Sequence, residues 1–256
     1  PYTLYLVSLL YGIIKVVHTK EVVMRDEREI RSEIVETLRC MWNQGHANTT
    51  GVSISERTDE DRIIVDQSGT GFRHCKIIED DLLVIDSEGN LLEDAPSGSH
   101  RRAPANVIIH TEYYKVNPLA RACVHCHAPY TQVFSCEKRD IPPYTLQSMI
   151  MGVIPCIVVD DKELKEEFHR KNISLQVPSG LHNRPDVFYV MREVARRVVI
   201  ALKSRNDEMK VHGLAITHYQ HGIFVFGRSM GEAFENLERA EANARAILLS
   251  SALRGL

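Results

Sequence analysis

Across residues 26–44 the apolar positions Ile30, Ile34, Leu38 and Met41 recur at three- and four-residue intervals, which predicts an amphipathic helix with one buried face. Gly45 is its natural stop. Beyond Thr50 the period shortens to two. The short runs 52–55, 62–65 and 82–85 alternate with turn-rich pieces such as Gln67-Ser68-Gly69 and Ser87-Glu88-Gly89-Asn90, the pattern of an antiparallel meander.

A polar Ser/Arg/Pro loop at 93–104 precedes a helix over 107–114, which leads into the apolar segment 122–124. Pro142-Pro143 and a short helix around 146–151 introduce a further strand, expected to be buried, at 153–159. Asn183-Arg184-Pro185-Asp186 sets up a helix whose inner face carries Val187, Val190, Val194 and Val198. Two strands, 213–217 and 222–226, come before a last helix that opens with the capping-box spacing Ser229-Met-Gly-Glu232 and runs to about Ala252. The pattern is that of one α/β (α+β) domain over 26–256, preceded by an N-terminal extension, 1–25. The apolar opening stretch 2–17 is interrupted by Gly12 and Lys15, falls short of the roughly 20 residues that span a bilayer, and lacks a signal-peptide start. It is read as a helix or strand packed in the core or at an interface.

Lys plus Arg number 31 against 34 Asp plus Glu, a net charge of -3, so no global positive field is available to hold a phosphate backbone. Neither nucleic acid nor membrane is an expected partner. Six scattered cysteines in a chain too large to need a disulfide framework point to a reducing, cytoplasmic setting.

Cys123-Val-His125-Cys-His127 carries the chemistry and has three readings: a c-type haem attachment, half of a cysteine zinc site or redox pair, or a His-x-His metal site. Haem attachment requires an exported chain and an exposed loop, whereas this pentapeptide ends an apolar run expected to be a buried strand. A second close cysteine pair for zinc is missing, since Cys136 and Cys156 do not form one. On a strand, alternation places His125 and His127 on one face with Cys123, and Cys126 on the other. A third imidazole, His221, stands before the strand of Ile223-Phe224-Val225-Phe226, with Gly222 allowing close backbone approach. Three neutral imidazoles with positions left open describe a catalytic rather than a structural site, for one divalent ion per chain: Fe2+, Mn2+ or Zn2+.

The stretch from His110 to His127 resembles the helix, turn and metal-binding strand of the class II aldolase/adducin family. Gln220-His221-Gly-Ile-Phe-Val-Phe-Gly227-Arg-Ser-Met-Gly-Glu232 is similar to that family's third-ligand strand and closing helix. Weaker matches at Asn48-Thr-Thr-Gly51 and Ser68-Gly69 extend the resemblance over roughly residues 27–246. It implies a central, mainly antiparallel sheet between helical layers, a homotetramer with active sites at subunit contacts, and a small-molecule substrate. It does not fix the reaction, because members include aldolases, an epimerase, dehydratases, decarboxylases, iron oxygenases and the cytoskeletal scaffold adducin.

Departures from the aldolase pattern narrow the choice. Where fuculose-phosphate-type aldolases carry Ser-Ser-Glu, this chain has Pro104-Ala105-Asn106. The Asn106 amide cannot exchange a proton, though it can orient a carboxylate or carbonyl. Val52 follows Gly51 where those aldolases use Asn, so only Ser68 and Gly69 remain of their phosphate cradle. The tyrosine those enzymes borrow from a neighbouring subunit falls near Leu146, with Tyr144 two residues away. His110 lies one helical turn past Asn106, so the two can share a face toward the metal and orient the substrate as the catalytic residues, a structural hydrogen-bond role being the alternative for His110. His218, three residues before His221, could approach the same cavity from a turn, although such a histidine is more often at the surface. His182 and Arg184 share a loop that could contact a carboxylate, while Glu112 is expected to pair with a base such as Lys115. The leading expectation is decarboxylation or retro-aldol cleavage of an unphosphorylated oxo- or hydroxy-acid. The alternative is a non-haem iron oxygenase; a sugar-phosphate aldolase or an adducin-like scaffold is less expected.

Overall fold

The two-residue period of the first half and the apolar runs of the second meet in one eight-stranded sheet in the computed structural model, which describes residues 25–47, 51–58, 62–68 and 75–254. Its strands are β1 (Ser53–Arg57), β2 (Ile63–Val65), β3 (Leu83–Ile85), β4 (Leu91–Glu93), β5 (Ala122–Cys126), β6 (Cys156–Ile157), β7 (Leu214–His218) and β8 (Gly222–Gly227). They lie in the order β4-β3-β2-β1-β5-β8-β7-β6, and every pairing is antiparallel except β6 with β7. The expected meander is β1 to β4. Joining its β1 to β5 brings Ser53 opposite His125, and joining β5 to β8 brings Phe224 opposite the same histidine.

Helices cover both faces. Helices α1 (Glu27–Asn43), α3 (Pro129–Cys136) and α6 (Met230–Arg254) pack on the face that carries Ala122, Val124, Cys126, Ile223 and Val225. Helices α2 (Val107–Val116) and α5 (Pro185–Leu202) close the opposite face over Cys123, Phe224 and Phe226. The alternation expected in β5 therefore holds, with Cys126 and Cys123 in different cores. Helix α4 (Asp161–Arg170) packs on α5 and is strongly charged, with only Phe168 buried.

Local chemistry sets the helix ends. Asp26 caps α1 by accepting from Arg28 N, and Asp160 caps α4 by accepting from Lys162 N and Glu163 N. At α6 the Ser229 hydroxyl accepts from Glu232 N at 3.2 Å. The Glu232 carboxylate turns instead to Arg228 N and the Arg228 guanidinium, and Glu56 accepts Met230 N from across the sheet.

The expected buried strand at 153–159 is corrected. Cys156 and Ile157 alone join the sheet, at its edge, Ile154 makes an isolated bridge to Ile141, and Val153 and Val158 are each 47% exposed. Arg205 donates to the carbonyls of Met151 and Val153, which holds the preceding segment as a loop. The stretch 2–17 and Gly69 lie outside the described residues.

Candidate metal centre

His125 is the penultimate residue of β5, His127 follows the strand, and His221 sits in the turn from β7 to β8, where Gln220 adopts φ 55° and His221 N donates to His218 O. The pairing of β5 with β8 brings the three imidazoles together, with ring centroids 5.4, 5.1 and 5.3 Å apart. One ligand atom from each lies within 4.8 Å of the others, and no carboxylate belongs to the group among the described residues. His125 is fully buried, stacked at 4.0 Å on Phe224, and its Nδ1–H donates to Ile223 O at 2.9 Å. That bond sets the tautomer and leaves Nε2 as a lone-pair donor.

The donor atoms are otherwise idle. Among the described residues the Nε2 atoms of His125 and His127 are buried without a hydrogen-bond partner, as are His218 Nδ1 and Asp161 Oδ1. Leaving a buried polar atom unpaired costs about 1–3 kcal/mol, so several such atoms at one spot do not serve stability. They fit a metal ion. Burial, reinforced by the neighbouring imidazoles, pushes His125 well below the usual histidine range, and His127 falls to about 4. Both rings are therefore neutral at pH 7, the state in which imidazole binds a metal.

His110 is wholly buried on α2, with its Nδ1 2.9 Å from Ser55 Oγ and its Nε2 3.2 Å from Ser53 Oγ. Burial lowers its pKa to about 3. Tyr114, one turn later, bonds Ser55 as well. Going backwards along α2 thus moves from Ser55 towards Ser53, whose partner across the sheet is His125. Asn106, one turn before His110, continues towards that end. Its side chain makes no capping bond, it is 6% exposed, and its Oδ1 is buried without a partner.

His218 is not at the surface. It is fully buried at the end of β7, its ring 5.1 Å from that of His221, and its pKa falls to about 4 through burial and the His221 charge. Beside both rings stands a residue that sequence reasoning missed: Asp161, the first residue of α4, 3.4 Å from His218 Nε2 and 3.8 Å from His221 Nδ1. Burial disfavours its charge, but His221 and His218 together hold its carboxyl below the usual carboxylate range. The Asp160-Asp161 pair signals a helix start. What places it here is the parallel pairing of β6 with β7, which local sequence does not reveal.

Other expected residues stand elsewhere. Ser68 is half-buried, with its N–H donating to Arg102 O, and Tyr144 is 48% exposed, its N–H donating to Asn243 Oδ1 on α6. Neither hydrogen-bonds to the histidine cluster. Glu112 pairs with Lys115 at 2.8 Å, and Arg184 pairs with Asp186.

The comparisons agree with this architecture. The chain is 24% identical over 222 residues to a 3-oxo-tetronate 4-phosphate decarboxylase of Haemophilus influenzae, covering 83% of each. It is 30% identical over 222 residues to a methylthioribulose-1-phosphate dehydratase of Pseudomonas aeruginosa, covering 85% of this chain and 93% of that protein. A solved L-fuculose 1-phosphate aldolase shares the fold, with a TM-score of 0.67 at 18% identity over 90% of this chain and 89% of its own. The family model for the class II aldolase and adducin N-terminal domain matches residues 32–248, and with the sheet, helical layers and histidine cluster in place, the chain belongs to that family.

Proposed function

We propose that the chain is a metal-dependent lyase that breaks a carbon–carbon bond, by decarboxylation or retro-aldol cleavage, in an unphosphorylated oxo- or hydroxy-acid, aromatic acids included. The observation that carries this reading is the convergence of three imidazoles, two with buried and partner-free Nε2 atoms, without a carboxylate in the group. His125, His127 and His221 would hold the ion. A divalent ion there supplies Lewis acidity, polarising the carbonyl beside the breaking bond and stabilising the negative charge that develops.

Asn106 offers an amide that can orient a substrate carboxylate or carbonyl and cannot act as a base. His110 has both nitrogens occupied by serine hydroxyls, which favours a role in fixing α2 against β1 beneath the site. The named relatives act on phosphates, but the positions that would supply hydroxyls here are Pro104 and the buried Ala105, and buried Val52 follows Gly51. Ser68 and Gly69 are left as substrate contacts.

A homotetramer is part of the proposal. Leu146 is 89% exposed and Met149 58%, with Ile150 and Val153 beside them, an apolar stretch that suits a subunit contact. Tyr144, at its start, would then serve a neighbouring copy's site. The six scattered cysteines, in a chain too large to need a disulfide framework, support a reducing, cytoplasmic setting. Among the described residues no helix is long and apolar enough to cross a membrane.

The test is to load apoprotein with Zn2+, Mn2+ or Fe2+ under nitrogen and offer aromatic, hydroxy- and 2-oxo acids beside fuculose 1-phosphate. Release of CO2 or aldehyde with all three ions and no oxygen is the expected result, since Lewis acidity is common to them. Strict dependence on iron and oxygen would assign an oxygenase at the same histidines. Efficient cleavage of the sugar phosphate would overturn the unphosphorylated substrate.

A further inference from the structure

His221 is the least supported of the three histidines. His125 lies in a strand and has Ile223 O on its Nδ1–H; His221 occupies a turn beside the left-handed Gln220, and among the described residues no backbone carbonyl accepts from its ring. A ligand held this loosely would sample several ring orientations, and metal sites correct that with a neighbouring acceptor on the second nitrogen. Among the described residues Asp161 Oδ2 stands 3.8 Å from His221 Nδ1, an ion-pair distance that a small ring rotation would close to a hydrogen bond.

We infer that Asp161 and His218 form a positioning pair for His221, in which the carboxylate takes the Nδ1–H and presents Nε2 to His125 and His127, while the buried His218 ring fixes both from behind. This rests on the three-histidine reading above. An acid at the first position of a helix has an ordinary explanation, interaction with the helix dipole, worth about 0.3–1 kcal/mol at the surface. Asp161 does not fit it. Its Oδ1 is buried without a hydrogen bond, 3.4 Å from a fully buried imidazole, whereas a purely dipolar acid would turn that atom to solvent.

The placement follows from topology. Ile157 on β6 pairs in parallel register with His218, and Ile157 O accepts Tyr219 N. The residues after β6 therefore run beside the β7–β8 turn, and Val159 O comes 3.4 Å from His218 Nε2. Two residues on, α4 begins with Asp161. His218 thus touches Val159, Asp161 and His221 at once, and a side chain without a ring would leave the carboxylate free to swing into the adjoining cleft of about 410 Å3 lined by Lys162, Lys165 and Tyr219.

The experiment is a Co2+ titration of the apoprotein, followed by visible absorption and by competition with a chelator. Asp161→Asn keeps the shape but offers an amide, and should weaken Co2+ binding about 10- to 100-fold and move the visible bands, as loss of such a partner does elsewhere. Asp161→Glu should recover part of the affinity. His218→Phe, which keeps a ring but no nitrogen, should lose less than Asp161→Asn. Apoprotein melting temperatures report any general damage, and Asp161→Ser is the second variant should Asp161→Asn not fold. Binding by Asp161→Asn or Asp161→Ser within about twofold of the unaltered chain, with an unchanged spectrum, would overturn the inference even though the site holds metal. If the unaltered chain binds no Co2+, or His125→Ala binds it equally well, the three-histidine reading fails and the inference falls with it.

Discussion

A Cβ built on Gly51 would fall 2.4 Å from His127 Cε1, and one on Gly222 would fall 2.3 Å from Cys126 O and 2.9 Å from His127 Cδ2. Both glycines have positive φ, 101° and 152°, so the backbone and the neighbouring ring exclude a side chain for separate reasons. Gly222→Ala should therefore weaken metal binding by about tenfold or more, by displacing His127 from a geometry that tolerates little error. Its strained backbone should also lower apoprotein stability by about 1–3 kcal/mol. Gly98→Ala is the control, because Gly98 has φ 69° but nothing within 4 Å of an added Cβ. It should carry a stability loss with unchanged metal affinity, read by the same titration and by urea denaturation. Equal affinity for Gly222→Ala and the unaltered chain would mean that His127 does not need this close approach. His125, His127 and His221 were legible in the sequence because strand alternation and the His-Gly step are local. Asp161 and the burial of His218 were not, since both depend on a strand pairing across 61 residues.

At the scale of elements, helix α4 shows how a cap can govern a distant site. The Asp160 carboxylate accepts both Lys162 N and Glu163 N at 3.0 Å, so it holds the first turn that carries Asp161. Asp160→Ala should cost about 1 kcal/mol of stability, the usual worth of an N-cap, and should also weaken metal binding by loosening Asp161. Urea denaturation of the apoprotein checks the first expectation and a Co2+ titration the second; a stability loss with intact affinity would confine Asp160 to capping. Helices α1, α5 and α6 were readable from periodic apolar residues, since each presents a stripe to a core, whereas α2 was read without such a period and is buried nearly all round. Helices α3 and α4 were not. The start of α3 is capped by Glu241 from α6, which accepts Tyr130 N and Thr131 N across 110 residues, and α4 buries too little apolar surface to print a pattern. The valines near β6 misled the reading for the opposite reason: Val153 and Val158 are apolar yet half-exposed, and Arg205 holds the segment before β6 as a loop.

Over the whole molecule, acid should act on the apoprotein through its buried histidines. His110, His125, His127 and His218 all have pKa values pushed below the ordinary 6.5, His110 to about 3 by burial alone. Above pH 6.5 folded and unfolded forms are both neutral at these sites and nothing is lost. As pH falls below 6.5 the unfolded chain takes up protons that the folded chain refuses, so stability decreases, by about 1.4 kcal/mol per pH unit for each such group until its folded pKa is reached. Glu56 works in the opposite sense. Burial outweighs Arg25 and raises it to about 7, so the folded form holds the extra proton between there and the ordinary range, which adds stability as pH falls. One carboxyl against four imidazoles leaves a net loss. Of the four, His110 is the one outside the proposed metal centre, and its ring can be tested without touching a ligand. Between pH 7 and pH 5, His110→Asn should lose about 2 kcal/mol less than the unaltered apoprotein, whatever the substitution costs at pH 7, because an amide does not titrate. Urea denaturation at pH 7, 6 and 5 measures the difference in slope. Coincident slopes would show that His110 is protonated in the folded chain, and would remove the basis for reading it as a neutral brace between Ser53 and Ser55.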